Sequence, residues 1–293
     1  MENKLTELFI KVDDFCKTFM PDWQRFLLES GQKKRLRKNR LSTSEIITIA
    51  IHFHQSNYRN FKSYYQKYVQ KYLIGFFPNT LSYTRFLGVL KSIFIPLTIF
   101  VKTMKSNKTG IYFVDSTLLK VCDIRREKSH KVFANLAKKS KSTTGWFFGF
   151  KLHLIINDHG EIMNFQITQG NVDDRKPVSD LIQNLTGKLI GDKGYLSKTL
   201  FEKLFNQGVQ LITKIKKNMK NKCMSLFDKL LLRKRAVIES VNDQLKNISQ
   251  IEHSRHRSVM GFMINLLSGI SAYNFQPKKP SVYPKVKQLL NMV

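Results

Sequence analysis

The sequence predicts an α/β chain: a mixed five-stranded sheet with flanking helices, preceded by an all-helical N-terminal domain. Three observations carry that expectation. The first hundred residues read as capped helices, and the pattern changes after Gly110. Beyond it the segments run strand, strand, strand, helix, strand, helix, strand, helix.

In the helical part, Leu41-Ser-Thr-Ser-Glu45 has the form of a capping box. Ser42 is the cap and Glu45 stands three residues on, ahead of the apolar run 46–53. An aromatic and basic stretch, 58–72, follows and breaks at Phe77-Pro78-Asn79. Ser82 is placed to cap a further helix carrying Phe86, Leu87 and Leu90, and Pro96 interrupts the next apolar run. The polar, basic connector 102–110 supplies the first boundary, so three parts are expected: 1–108, 109–275 and a basic tail, 276–293.

After Gly110 a short apolar strand, 111–114, ends in Asp115. The aromatic and β-branched run 146–156 and the segment 161–168 flank a turn, Asn157-Asp-His-Gly160, and form an antiparallel hairpin. A helix is expected over 173–185 and a strand over 188–191, ending at Asp192. Ser197 caps a helix that Gly208 stops, 209–213 is the last strand, and 226–246 reads as one helix. The first three strands suit an antiparallel set, and the later two, joined through helices, suit parallel addition. That strand order is the one found in the ribonuclease-H-like fold.

Composition narrows the function. Fifty Lys and Arg against 21 Asp and Glu leave a net charge of +29, which asks for an anionic partner: nucleic acid first, a membrane surface second. Three widely spaced cysteines, Cys16, Cys122 and Cys223, fit no disulfide framework and suit a reducing cytosol. The opening MENKLTELF lacks the basic leader and apolar run of a signal peptide, so a cytosolic location is expected. The uncharged stretch 258–277 is interrupted by Gly261, Asn265, Gly269 and Asn274, and reads as a packed helix before a membrane span. No P-loop occurs, so no nucleotide cofactor is indicated.

Asp115 and Asp192 each close an apolar run, and a carboxylate at a buried strand end is costly unless paired, metal-bound or solvated. Two adjacent strands ending this way would present hard oxygen ligands of the kind Mg²⁺ prefers. Singly, each also reads as an ordinary turn residue. Arg235, Glu239 and Lys246 fall on one expected helix, where four steps and seven steps return to within about 40° of the starting direction. A carboxylate between two cations on one stripe suits metal and phosphate; a solvated salt-bridge stripe fits the same spacing.

These residues carry a resemblance. Asp115 in Tyr-Phe-Val-Asp-Ser-Thr, Asp192 in Gly-Asp-Lys-Gly-Tyr, and Arg235-x3-Glu239-x6-Lys246 resemble the DDE transposases of bacterial insertion sequences. The blocks Gly145-Trp-Phe-Phe-Gly-Phe-Lys-Leu-His153, Gly170-Asn-Val-Asp-Asp174 and Glu252-His-Ser-Arg-His-Arg-Ser258 are similar to the group's intervening segments. Leu232 stands where the group has Tyr. The resemblance implies DNA cleavage and strand transfer with two Mg²⁺ ions, Mn²⁺ being a possible substitute. It implies that Asp115 is the bridging ligand, Asp192 and Glu239 the outer ones, and that 109–275 is the catalytic domain and 1–108 the binder of DNA ends. Arg235, Lys246, Lys193, Arg233, Lys214, Lys216 and Lys217 would meet phosphates. The implied partners are the element's terminal inverted repeats and target DNA, with a homodimer on paired ends. A metal-dependent nuclease and a non-catalytic basic DNA-binding protein are the alternatives.

Further basic runs at 33–40 and 138–141 suit backbone phosphate. Tyr58, Phe61, Tyr64, Tyr65, Tyr68 and Tyr72 are expected mainly in a helical core, with base stacking the lesser share. His52-x-His54 and His253-x2-His256 read as core or surface histidines before zinc ligands.

Overall fold

A computed structural model describes residues 2–104, 106–143, 145–214, 224–252 and 256–282. The chain divides into two compact units, one from 1–104 with 245–275, the other from 105–244 with 276–293.

The first unit is helical. A long helix, Glu2–Glu29, buries Leu5, Leu8, Val12, Cys16 and Leu27 and packs on the helix Thr43–Phe53. The capping box forms as expected: the Ser42 hydroxyl accepts from the Glu45 N–H at 3.1 Å, and the Glu45 carboxylate accepts from the Ser42 N–H at 2.6 Å. From Ile46 to Phe53 every residue of that helix is buried. Tyr83–Leu90 begins after Ser82, although the Ser82 side chain makes no cap hydrogen bond. Pro96 does not break its segment. It sits third in the helix Phe94–Thr103, within the first turn, where the missing N–H has no intrahelical partner to lose. The combined stretch Tyr83–Thr103 is long and apolar enough to cross a membrane by length and composition alone, while Phe86, Ile93, Leu97, Phe100 and Val101 are buried within the unit.

The aromatic stretch is core. Tyr64 and Tyr65 are fully buried; the Tyr64 hydroxyl bonds His52 Nδ1 at 2.9 Å, and the Tyr65 hydroxyl donates to the Leu81 carbonyl at 2.8 Å. Only Tyr72 stands well out, 73% exposed. The helix Val259–Asn274, capped by Ser258, lies against Thr43–Phe53 and Phe94–Thr103. That packing places 245–275 with the N-terminal helices, so the stretch 109–275 is not one compact body. An apolar helix goes where apolar faces await it.

The second unit holds the sheet: β1 (Ile111–Cys122), β2 (Lys138–Ser142), β3 (Gly145–Asn157), β4 (Ile162–Gln169), β5 (Gly187–Ile190) and β6 (Val209–Ile212). The order is β2-β3-β1-β5-β6, with β4 also on β3. β2 takes the first part of the β3 edge, 145–149, and β4 the rest, 150–156. β1, β3 and β4 are antiparallel; β5 joins β1, and β6 joins β5, in parallel. This is the mixed α/β architecture that the strand order predicts. β2 is an addition, since Lys138-Lys-Ser-Lys-Ser142 has no apolar alternation; lysines suit an exposed sheet edge. The expected helix over 173–185 shrinks to Val178–Leu181.

The β3–β4 turn is built by Asn157, whose side-chain oxygen accepts from the N–H groups of His159 and Glu161 at 3.0 and 2.9 Å. Gly160 closes it at φ +73°, where a Cβ would lie 2.0 Å from the Pro280 carbonyl oxygen. One face of the sheet, with Tyr112, Val114, Ile155, Leu189 and Leu211, packs beneath Val178–Leu181 and the helix Lys198–Asn206. The helix Ala236–Asp243 packs on β1 with Ile238 and Val241 buried.

Candidate active site

Asp115 does not end its strand. β1 runs on to Cys122, and Asp115 sits opposite Leu154 of β3. What ends is the neighbour: β5 pairs with β1 only from Ile111↔Lys188 to Phe113↔Ile190. Asp115 lies two residues beyond that last pair on one strand, and Asp192 two beyond it on the other. Equal even steps keep both carboxylates on the Phe113 and Ile190 face. The site therefore opens where β5 stops and β1 continues, at the carboxyl end of β5.

Asp192 caps a one-turn helix, Lys193–Tyr195; its Oδ1 accepts from the Gly194 N–H at 2.8 Å. Glu239 comes from Ala236–Asp243, which also delivers Asn242. Asn242 Nδ2 donates to Asp115 Oδ2 at 3.0 Å, while its own carbonyl oxygen is buried without a partner. The Arg235 guanidinium forms an ion pair with Glu239 and lies 4.0 Å from Asp115 Oδ1.

The electrostatics are those of a crowded acidic site. Burial pushes the Asp115 carboxyl up to about 6; Arg235 and the Ser116 N–H pull it down, and Asp192 and Glu239 push it up again. Asp192 and Glu239 are thus both near enough to act on Asp115. Among the described residues, no three His, Cys, Asp or Glu side chains stand ready to hold one ion as they lie. The Arg235 guanidinium takes up the space and charge between Asp115 and Glu239. The donor set still fits a hard divalent cation: oxygen ligands only, mutually repelling, with a monovalent group between two of them.

The expected helix 226–246 is three pieces: Leu226–Lys234, Ala236–Asp243 and a π turn, Gln244–Ile248. The junction falls at Arg235, and the wider i→i+5 turn removes the regular stripe that would align Lys246 with Glu239. Lys246 belongs to the helical unit, where it pairs with Glu252 at 2.9 Å. Leu232, in the Tyr position, is buried. Lys193, Lys214 and Arg233 are exposed, whereas Lys216 and Lys217 lie outside the described residues. In the run 138–141, Lys139 pairs with Glu127 at 3.3 Å and covers the Trp146 ring. The run 33–40 is exposed throughout.

Behind β1 lies a second polar group. The blocks 145–153 and 170–174 come together there: Lys151 Nζ meets Asp174 at 2.9 Å, and His153 Nε2 bonds the Thr168 hydroxyl at 2.8 Å. His153 is 1% exposed, and burial holds its imidazole down at about 4. His52, His54 and His256 are likewise held near 4 by burial, and His253 lies outside the described residues. Asn242 and Tyr195 escape the sequence reading. The available signal for Asn242 is a polar residue three after Glu239, on the same helix face, directly after the apolar Val241.

Residues 105–259 match the family model described as Transposase DDE domain. No curated protein matches. Among solved structures, a cryo-EM synaptic complex of piggyBac transposase with hairpin DNA is similar at 11% identity and a TM-score of 0.36. The likeness covers 74% of this chain and 50% of that one, so it spans half the neighbour's length. The family match runs over more than half of the 293 residues and takes in Asp115, Asp192 and Glu239, and the chain belongs to the DDE-domain transposases.

Proposed function

We propose that this transposase cleaves DNA strands at the ends of an insertion sequence and joins them to target DNA in a divalent-metal-dependent reaction in the bacterial cytosol. One observation carries the reading: Asp115 and Asp192 stand at the same step past the last β1–β5 pair and on the same face, with Glu239 acting on Asp115 from the helix above.

Asp115, Asp192 and Glu239 would hold Mg²⁺, or Mn²⁺ in its place, as two ions with Asp115 common to both. Ions so held supply Lewis-acid activation of the attacking oxygen and neutralise charge at the scissile phosphate. The chain's own part is to position. Asn242 fixes the Asp115 carboxylate from the buried side. Arg235 has a planar fork suited to bidentate phosphate, and the exposed cations Lys193, Lys214 and Arg233 suit phosphate as point or forked charges. Lys246, Lys216 and Lys217 are assigned to the same duty. Inverted-repeat ends and target DNA are the substrates, with two copies of the chain on paired ends.

The decisive experiment is Asp192→Asn. The variant should bind end DNA like the parent and fail to nick it in Mg²⁺. Cutting at the parent rate would remove Asp192 from the chemistry. Joining of a pre-cut end to a plasmid separates a transposase from a nuclease, which would leave that end unjoined.

A further inference from the structure

The face of β1 opposite Asp115 meets a buried tyrosine from the turn after β5. Ser116 follows Asp115 and so points to that opposite face, level with His153 of β3. Tyr195 reaches the same place from the other strand. It ends the one-turn helix that Asp192 caps, and it is 2% exposed. Its ring packs with Tyr112, Val114 and Ile155. It also lies across Gly191, where an added Cβ would stand 3.1 Å from the ring carbon Cδ2. Its hydroxyl lies beside the Ser116 side chain, buried, and completes no hydrogen bond of full geometry.

A core tyrosine needs only its ring; a buried hydroxyl without a good partner is a cost to folding. Here the hydroxyl is aimed at the residue next to Asp115, and its backbone is three residues from Asp192. Gly191 lets the ring close beneath the turn, and the Gly194 N–H holds the Asp192 carboxylate above it. We propose that Tyr195 is a positioning residue that, with Ser116, fastens the Asp192 turn to β1 and sets the gap between Asp115 and Asp192. The gap matters because a shared cation tolerates little error in ligand spacing. This inference rests on the reading that these two carboxylates share divalent cations.

Tyr195→Phe keeps the ring and removes only the hydroxyl; Ser116→Ala removes the other side of the contact. The test measures Mn²⁺ binding by titration calorimetry on the full chain, DNA nicking across a Mg²⁺ series, and thermal melting. Each variant should weaken Mn²⁺ binding about 10-fold or more and raise the Mg²⁺ needed for half-maximal nicking in step, as loss of an outer partner does. The double variant should be no worse than the weaker single one, and DNA affinity without metal should not move. Parent-like Mn²⁺ affinity in Tyr195→Phe, or losses that simply add, overturns the proposal. Should Tyr195→Phe melt early, Ser116→Ala decides, and parent-like Mn²⁺ affinity there overturns it as well. Asp192→Asn keeps the two levels apart. If it binds Mn²⁺ like the parent, the metal-site reading falls; if it loses Mn²⁺ while Tyr195→Phe does not, only the role of Tyr195 falls.

Discussion

His52 and His54 in the helical unit and Asp115 in the sheet unit are ionisable groups set to opposite ends. In the helical unit, His52 meets the Tyr64 hydroxyl and His54 meets the Ser249 carbonyl, and both imidazoles are held neutral. In the sheet unit, Asp115 is half-buried beside Asp192 and Glu239, with Arg235 and Asn242 as partial relief. A buried polar group that finds a neutral partner is part of the framework. One that finds its own charge repeated is poised for a ligand from outside.

The sharpest way to break the contrast is Glu239→Gln. Nicking in Mg²⁺ should fall about 10³-fold or more, the scale expected when a group stabilising transition-state charge is lost. Thermal melting should hardly change, because Glu239 is exposed. Retained nicking would make Glu239 a surface residue.

Acid should separate the two histidines from Asp115 next. His52 and His54 have folded values near 4 against about 6.5 unfolded, so the unfolded chain takes protons first and stability is lost as pH falls from 6.5 to 4. Each histidine is worth up to about 3 kcal/mol over that window. Asp115 runs the other way. Its folded value of about 6 exceeds the ordinary 3.8, so the folded chain holds its proton longer and stability is lost as pH rises from 4 to 6. Asp115→Asn should therefore raise the stability of metal-free protein at pH 7 by about 2 kcal/mol, and the gain should shrink towards pH 4. Denaturant unfolding in chelator at both pH values measures it. No gain at pH 7 would mean that Arg235 and Asn242 already satisfy the carboxylate.

The smallest effect belongs to the framework. Tyr64→Phe strips His52 of its partner and should cost about 1–2 kcal/mol in denaturant unfolding, with Mg²⁺-dependent nicking unchanged at temperatures where the chain is folded.

Much of this was legible in the residues. Five strands, the Ser42 box and the Ser197 cap follow from alternation and capping, which are local signals. The strand end at Asp115 misled because the apolar run stops there while the hydrogen-bonded ladder with β3 continues over Ser116-Thr117. β2 was hidden because only its pairing with β3 makes it a strand. The break at Arg235 and the π turn at 244–248 leave no Pro or Gly behind, so periodicity read straight through them. Asn242 and Tyr195 needed the register, since their partners lie 127 residues away for the first and across a parallel strand pair for the second.

The pairing of Phe113 with Ile190 has an evolutionary corollary. Adding or removing a single residue between 113 and 115, or between 190 and 192, would turn an acidic group through the sheet into the apolar layer beneath. Copies of this protein can drift in length across the loop after Cys122 or along the basic edge, yet the two short tracts that follow this pair must keep their count. An in-frame change of that count would part the two acidic groups, one on each side of the sheet.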